Sequence, residues 1–362
     1  MTIRFETKRA SELTPEHREA WAHFLSASPK LSSPYFGLGF LDAVSTVRSD
    51  AEVAIQRRGG EIEAMIPFHR GFLGHARPLG GPLGDHQALI SPPGTAVDLQ
   101  ALFGSSGISA FDFHGVLGVQ PAFKRYGQIA DGSWVVDLSA GYDAFIARQK
   151  KLGGNTFRTI SKAPDKVMAR VGEPVFRFDD TRPEALDALF AWKSDQYRAS
   201  GHFDVFSVDW TRALLMRLLA SEAEDCRAVL SSLEADGRII AVHLGMIGPR
   251  ALHYWFPAYD PELAKCAPGN ALLMAICEHL ANEGVGELHL GPGDFRYKAA
   301  MGSWQIPLRV GSVTRAAPTG LAIQAAQLIE QIAEAAPLGR FSRWPGKAFR
   351  RIDQIAGFRA TC

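Results

Sequence analysis

Leu252-His253-Tyr254-Trp255-Phe256 runs through Pro257-Ala258-Tyr259-Asp260 and a loop to Cys266-Ala267-Pro268-Gly269-Asn270-Ala271-Leu272-Leu273. This stretch decides the reading of the fold. Its first five residues, rich in aromatics, predict a strand. From Asn270 to Asn282 the apolar spacing predicts a helix, and Gly286–Leu290 predicts a further strand. A helix start after a strand end carries unpaired N–H groups and the positive end of the helix dipole, which together favour an anion. Gly269 lets a phosphate approach the backbone, and Pro268 suits the first turn. Ala267, Gly269, Asn270 and Ala271 are therefore the expected anion contacts. An ordinary helix start with a turn glycine has the same pattern.

Working outward, Arg227–Leu233 and Arg238–Met246 predict strands joined by Asp236-Gly237, a hairpin signal. Pro183–Arg198 and Trp210–Ala220 predict helices, and Val175–Phe178 and Leu308–Val313 predict strands. The first half repeats this plan. A helix is expected over Leu13–Ala27 and a short one over Ala43–Val47. Strands are expected at Glu52–Ile55 and Ile62–Ile66 around Gly59-Gly60. The stretch Gly71–Gly107, rich in Gly and Pro, predicts long loops, and Trp134–Leu138 a strand before a helix from Tyr142. Gly60–Ile66 can be laid on Gly237–His243, with glycines and alanines aligned and Ile66 at the place of His243. Two copies of one α/β unit are expected, over 1–147 and 148–317, with a tail over 318–362.

The composition bounds the function. The 362 residues are 46% hydrophobic and 21% charged with a net charge of +1, so no global field gathers DNA or an acidic membrane. Four dispersed cysteines without a C-x-x-C pair argue for a reduced, cytoplasmic chain. No H-E-x-x-H is present and the eleven histidines do not cluster at ligand spacing, so no metal is expected. The N-terminus lacks the apolar core of a signal peptide, and no apolar run reaches the roughly 18 residues of a membrane span.

The second half resembles a known family on specific residues. These are Trp192-Lys193 with Gln196-Tyr197, Phe203-Asp204-Val205-Phe206, Ala241-Val242-His243-Leu244-Gly245, Pro257–Asp260, Pro268–Leu273 and, most specific, Gly291-Pro292-Gly293-Asp294-Phe295-Arg296-Tyr297-Lys298. Over about 155–315 their order resembles the CelD-like acyltransferases, relatives of the FemAB enzymes, built of two tandem GNAT (N-acetyltransferase) units. The first half matches more loosely, through Ser33-Pro34-Tyr35-Phe36 and Ala64–Phe68. The resemblance implies an α/β fold with a mixed sheet and acyl transfer from acetyl-CoA to an amine or hydroxyl. The acceptor implied is a surface polysaccharide or its precursor, as in exopolysaccharide, cellulose or holdfast synthesis.

Direct attack on a thioester needs a diphosphate cradle, an oxyanion donor and a base. Gly245 is expected to permit a bulge in its strand, freeing a backbone N–H for the oxyanion. His243 is the first candidate base, because imidazole titrates near neutral pH; its loss should cost about 10² in turnover. Asp294, in the glycine-rich loop past a strand end, is the second, and Tyr297 is a candidate acid for the leaving thiolate. Trp192, Gln196, Tyr197, Trp255, Tyr259 and Lys298 are candidate acceptor contacts. Each also has a bland reading as core, turn or solvated residue.

Two basic stretches remain. Arg158, Lys162, Lys166 and Arg170 would form one stripe if helical, although Pro164 interrupts them. That stripe suits a phosphorylated acceptor or, in a FemAB-type aminoacyl transferase, a charged tRNA. The tail combines an amphipathic helix over Leu321–Ala335 with Arg340, Phe341, Arg343, Trp344, Lys347, Phe349, Arg350 and Arg351. It suits a peripheral membrane contact or a cyclic dinucleotide held by forked arginines, the latter also consistent with a non-catalytic effector.

Overall fold

The computed structural model describes residues 2–315; the tail readings lie outside them. In chain order the elements are β1 (Ile3–Arg9), α1 (Pro15–Ala27), α2 (Leu38–Val47), β2 (Ala51–Arg58), β3 (Glu61–Arg70), β4 (His75–Pro78), α3 (Leu99–Ser105), β5 (Ala110–Leu117), β6 (Gly127–Asp137) and α4 (Tyr142–Leu152). There follow α5 (Asn155–Ser161), α6 (Ala163–Val171), β7 (Val175–Arg177), α7 (Pro183–Ser200), α8 (Asp209–Leu219), β8 (Arg227–Ala235), β9 (Arg238–Ile247) and β10 (Ala251–Tyr259). The chain continues with α9 (Pro268–Asn282), β11 (Glu287–Gly291), α10 (Arg296–Met301) and β12 (Trp304–Thr314).

Contacts divide the chain into two units. One holds residues 2–31, 41–130 and 307–315; the other holds Ser32–Phe40 and Asp131–Ile306. The sequence division at 147/148 differs because β6 starts before it and because Ser32–Phe40 packs with the second unit. Asp225 accepts hydrogen bonds from the Leu38 and Gly39 amides at the start of α2, and a Cβ at Gly39 would collide with the Cys226 carbonyl.

The two units share one wiring. In the first the strand order is β1-β2-β3-β4-β5-β12, and in the second, read from its other end, β7-β8-β9-β10-β11-β6. Each contains one parallel pair, β4–β5 in the first and β10–β11 in the second. A helix crosses between the paired strands in both, α3 and α9 respectively. The hairpins agree to the residue. Turns Gly59-Gly60 and Asp236-Gly237 all adopt left-handed backbone, as a two-residue hairpin loop requires. Three residues past each turn glycine one residue is extra in the ladder, Glu63 in β3 and Ile240 in β9. The expected repeat is thus present in structure, and Ile66 and His243 hold the same register position.

Some local expectations change. The loop stretch contains β4 and α3, and the Gly291–Lys298 motif contains α10. Asp98 caps α3 by accepting from the Gln100 and Ala101 amides, a start signal within the loop reading. The basic stretch forms α5 and α6 with Lys162 between them and Pro164 in the first turn of α6, where its missing N–H costs nothing.

The first core is aromatic: Phe111 lies between Phe103 and Phe113, with Phe123 edge-on to Phe113. In the second, α9 is buried nearly all round, because it contacts the sheet through β8, β9 and β10 and also α4, α5 and α6. That explains its lack of a clean polar face.

The first unit also buries an ionisable network. His69 bonds Asp50 through Nδ1 (3.1 Å) and accepts the Gly80 amide at Nε2 (3.0 Å). Accepting at Nε2 fixes the tautomer with the proton on Nδ1. Burial holds His69 below the usual histidine value, so the folded state resists the proton that the unfolded chain accepts. Stability should therefore be full above about pH 6.5 and fall as the pH drops below it. Thermal unfolding at pH 7.5 and 5.5 checks this; His69→Gln should flatten the difference.

Candidate active site

The parallel ladder between β10 and β11 is short. Ala251, Leu252 and His253 pair with Glu287, Leu288 and His289, and there it stops, although β10 runs on to Tyr259. Both strands are irregular where they part. Tyr254 and Trp255 together oppose Gly245 between the pairs His253–Met246 and Phe256–Leu244. Leu290 is the extra residue against β6, and Gly291 follows in left-handed backbone. Such bulges bend a strand away from its neighbour. The result is a fork whose inner edges carry unladdered backbone groups.

The strand of Gly245 does carry a bulge, at Ile240, but none falls at Gly245 itself. Gly245 is the single residue opposite the bulge in β10, and its missing side chain serves another purpose. A Cβ there would lie 2.6 Å from the His243 ring and 2.7 Å from the His253 carbonyl. The imidazole of His243 lies over Gly245 and stacks at 4.0 Å, nearly parallel, on the Tyr254 ring.

His243 is wholly buried, and neither ring nitrogen has a hydrogen-bond partner. Burial, then His253 and Lys193, hold its pKa well below the ordinary histidine value. It is a neutral imidazole with no exposed atom.

Two lysines bond carbonyl groups past the end of the ladder. Lys193 of α7 donates to Pro257 O of β10 (3.2 Å) and to Gln196 Oε1 (2.9 Å), with the Tyr197 ring 5.4 Å away. Pro257 is the register partner of His243. Lys298 of α10, 8% exposed, donates to Pro292 O just past β11 (2.6 Å). Burial and then the charge of Lys298 bring Lys193 down to about 8. Gln149 fixes α10 by donating to the Met301 and Gly302 carbonyls.

At the start of α9 the expected row of free amides is reduced to one. Ala267 adopts left-handed backbone, and its carbonyl accepts the Asn270 and Ala271 amides (3.0 and 3.2 Å). Pro268 has no N–H, so Gly269 supplies the remaining donor. The ring of Tyr259 packs against it, 3.2 Å from where a Cβ would stand.

The other expected residues are distributed around this end. Tyr297 is half-buried on α10, and Asp294 is exposed in the loop before it. On α7, Gln196 is exposed while Trp192 and Tyr197 are half-buried. Trp255 and the buried His253 share one face of β10, both edge-on to Tyr35, and Trp255 stacks on Phe256. Trp255 is thus largely a packing residue. Sequence reasoning passed over Lys193 as a chemical group and Tyr254 altogether. The spacing of Lys193 from Gln196 and Tyr197, three and four residues along one helix face, was the available signal.

The first unit lacks these features at equivalent places. Ile66 replaces His243, and the Asp98 carboxylate occupies the α3 amides that an anion would need.

Comparison with known proteins agrees with this geometry. A family model described as an acetyltransferase (GNAT) domain matches residues 155–299. No curated protein matches. Among solved structures, FemX aligns with a TM-score of 0.54 at 9% identity, over 84% of this chain and 96% of that one. The C-terminal DUF2156 domain of a putative lysylphosphatidylglycerol synthetase from Agrobacterium fabrum aligns at 0.50 and 14% identity, over 86% and 96%. A tandem GNAT protein from the clavulanic acid biosynthesis pathway aligns at 0.49 and 13% identity, over 86% and 97%. The fold is thus a mixed α/β fold of the GNAT type, and residues 155–299 are similar to acetyltransferase (GNAT) domains.

Gly245→Ala should displace the His243 ring and lower stability by about 1–3 kcal/mol, the usual range for overpacking a filled interior. Urea unfolding and the His243 ring resonances in a nuclear magnetic resonance spectrum check this.

Proposed function

We propose that this protein transfers an acetyl group from acetyl-CoA to an amine or hydroxyl of a surface polysaccharide or its precursor. The observation that carries the reading is the fork between β10 and β11. Its unladdered edges offer backbone groups to an extended amide-bearing ligand in the way a strand would, which suits the pantetheine arm of acetyl-CoA. The Gly269 amide and the dipole of α9 suit its diphosphate, with Tyr259 as the neighbouring side wall. Acetyl-CoA supplies the activated carbonyl as co-substrate. The chain's own residues position the thioester, exclude water and move the proton.

Tyr297 would protonate the departing thiolate, and Asp294, the second candidate base, would meet the acceptor at the surface. Trp192, Gln196 and Tyr197 on α7 offer the acceptor flat rings and hydrogen-bonding groups. His243 belongs to the wall of the fork: its enclosure and weak basicity separate it from the attacking group, which moves the base assignment away from it. The cell-surface acceptor is supported by the sequence resemblance alone.

A second reading, aminoacyl transfer from a charged tRNA, is favoured by one surface. Lys150, Lys151, Arg158, Lys162, Lys166 and Arg170 are exposed on and between α4, α5 and α6, and none forms an ion pair within the described residues. Three of them line a cleft of about 630 Å³ whose wall includes Phe157 and Met274.

Hydrogen exchange tests the fork directly. Acetyl-CoA should slow exchange at Tyr254, Trp255, Phe256, Leu290 and Gly291, and thiol release should follow when amino sugars are supplied. No added protection at these amides would overturn the acetyl-CoA reading. Product formed only with aminoacyl-tRNA would establish the second.

A further inference from the structure

We propose that the side-chain amine of Lys193 is the proton acceptor for the attacking amine or hydroxyl in the acyl transfer. The inference rests on the acyl-transfer reading above and adds to it the group that moves the proton. Four observations carry it. Lys193 Nζ sits on the Pro257 carbonyl, past the point where β10 and β11 stop pairing. Its other hydrogen-bond acceptor is the neutral Gln196 oxygen, so no carboxylate fixes it as an ammonium. A second cation, Lys298, stands close enough to act on it. His243, register partner of Pro257, is sealed from solvent and lacks any bond that would orient it.

The surrounding titratable groups are few. Beside Lys298 from α10, the elements packed on α7 bring His243 from β9, and His253, Tyr254 and Tyr259 from β10. From β8 come Arg227 and Glu234, which are engaged with Asp179 and Arg182; the turn Val205–Ser207 brings none. Burial and Lys298 leave Lys193 at about 8, so a useful fraction is neutral at ordinary pH, as a general base requires. His243 is held far lower; a proton passed from Lys193 to it would move uphill.

The step balances. The acceptor's nitrogen or oxygen bonds to the thioester carbonyl carbon while its proton passes to the neutral Lys193 amine. The carbon–sulfur bond then breaks, the thiolate takes the Tyr297 hydroxyl proton, and the proton held by Lys193 returns through water to the tyrosinate.

Arginine separates base from anchor, because it keeps the charge and cannot give up its proton. Lys193→Arg and Lys193→Met should both lower kcat by about 10² or more, with acetyl-CoA affinity within about threefold by calorimetry. Lys193→Arg retaining a third or more of the turnover would make the residue an anchor and overturn the proposal. A second measurement needs no turnover. Competitive labelling of the wild-type chain with acetic anhydride, followed at the Lys193 peptide across pH, should show a reactivity midpoint near 8, and Lys298→Met should move it up. A midpoint near the ordinary lysine value of about 10.4 also overturns the proposal. Failure of the wild-type chain to bind acetyl-CoA would instead remove the acyl-transfer reading and leave the labelling midpoint where it is.

Discussion

A backbone amide or carbonyl taken out of water must find a partner. The second unit sets itself that problem by ending the β10–β11 ladder after three residue pairs while β10 continues. The bulges at Tyr254–Trp255 and Leu290 turn the strands apart and leave backbone groups outside the ladder. Part of the demand is met from within the chain: Lys193 and Lys298 donate to Pro257 and Pro292. The placing of α7 and α10, and the grip of Gln149 on the end of α10, follow from the same requirement.

The same wiring without the same chemistry in the first unit shows how little separates a site from a scaffold. The parallel pair, the crossing helix and the bulge after the hairpin turn are all there. Yet the helix is short, and the Asp98 carboxylate has already taken its free amides. A carboxylate there repels what the start of α9 would attract. Ile66 at the register position of His243 completes an apolar core with no polar group to satisfy.

Polar groups in the second unit are kept in a narrow electrostatic range. Each positive charge near the fork makes the next more costly, so Lys298 weakens the hold of Lys193 on its proton and Lys193 helps to keep His243 neutral. The stack of His243 on Tyr254 over Gly245 fills the space beneath with aromatic surface and no charge. Low dielectric strengthens every such interaction, which is why the charge of Lys298 is felt at Lys193 and that of Lys193 at His243.

The residues themselves determined many of the helices and strands, the hairpins at Gly59-Gly60 and Asp236-Gly237, the break before α6 and the repeat of one α/β unit, because each depends on local φ, spacing or a missing N–H. They also drew attention to His243, Gly245, Gly269 and Lys298. Only the tertiary structure decided where those residues stand and what they touch. The left-handed Ala267 closed the Asn270 and Ala271 amides, the bulge fell in β10 opposite Gly245, and His243 was enclosed while Lys193 came to the Pro257 carbonyl. Segment Ser32–Phe40 likewise reads as part of the first half and packs with the second. The amides at the start of α9 and the bulge in β10 turn on one backbone angle and on strand register, while Lys193 meets Pro257 and Leu38 meets Asp225 across 64 and 187 positions; neither leaves a periodic trace along the chain.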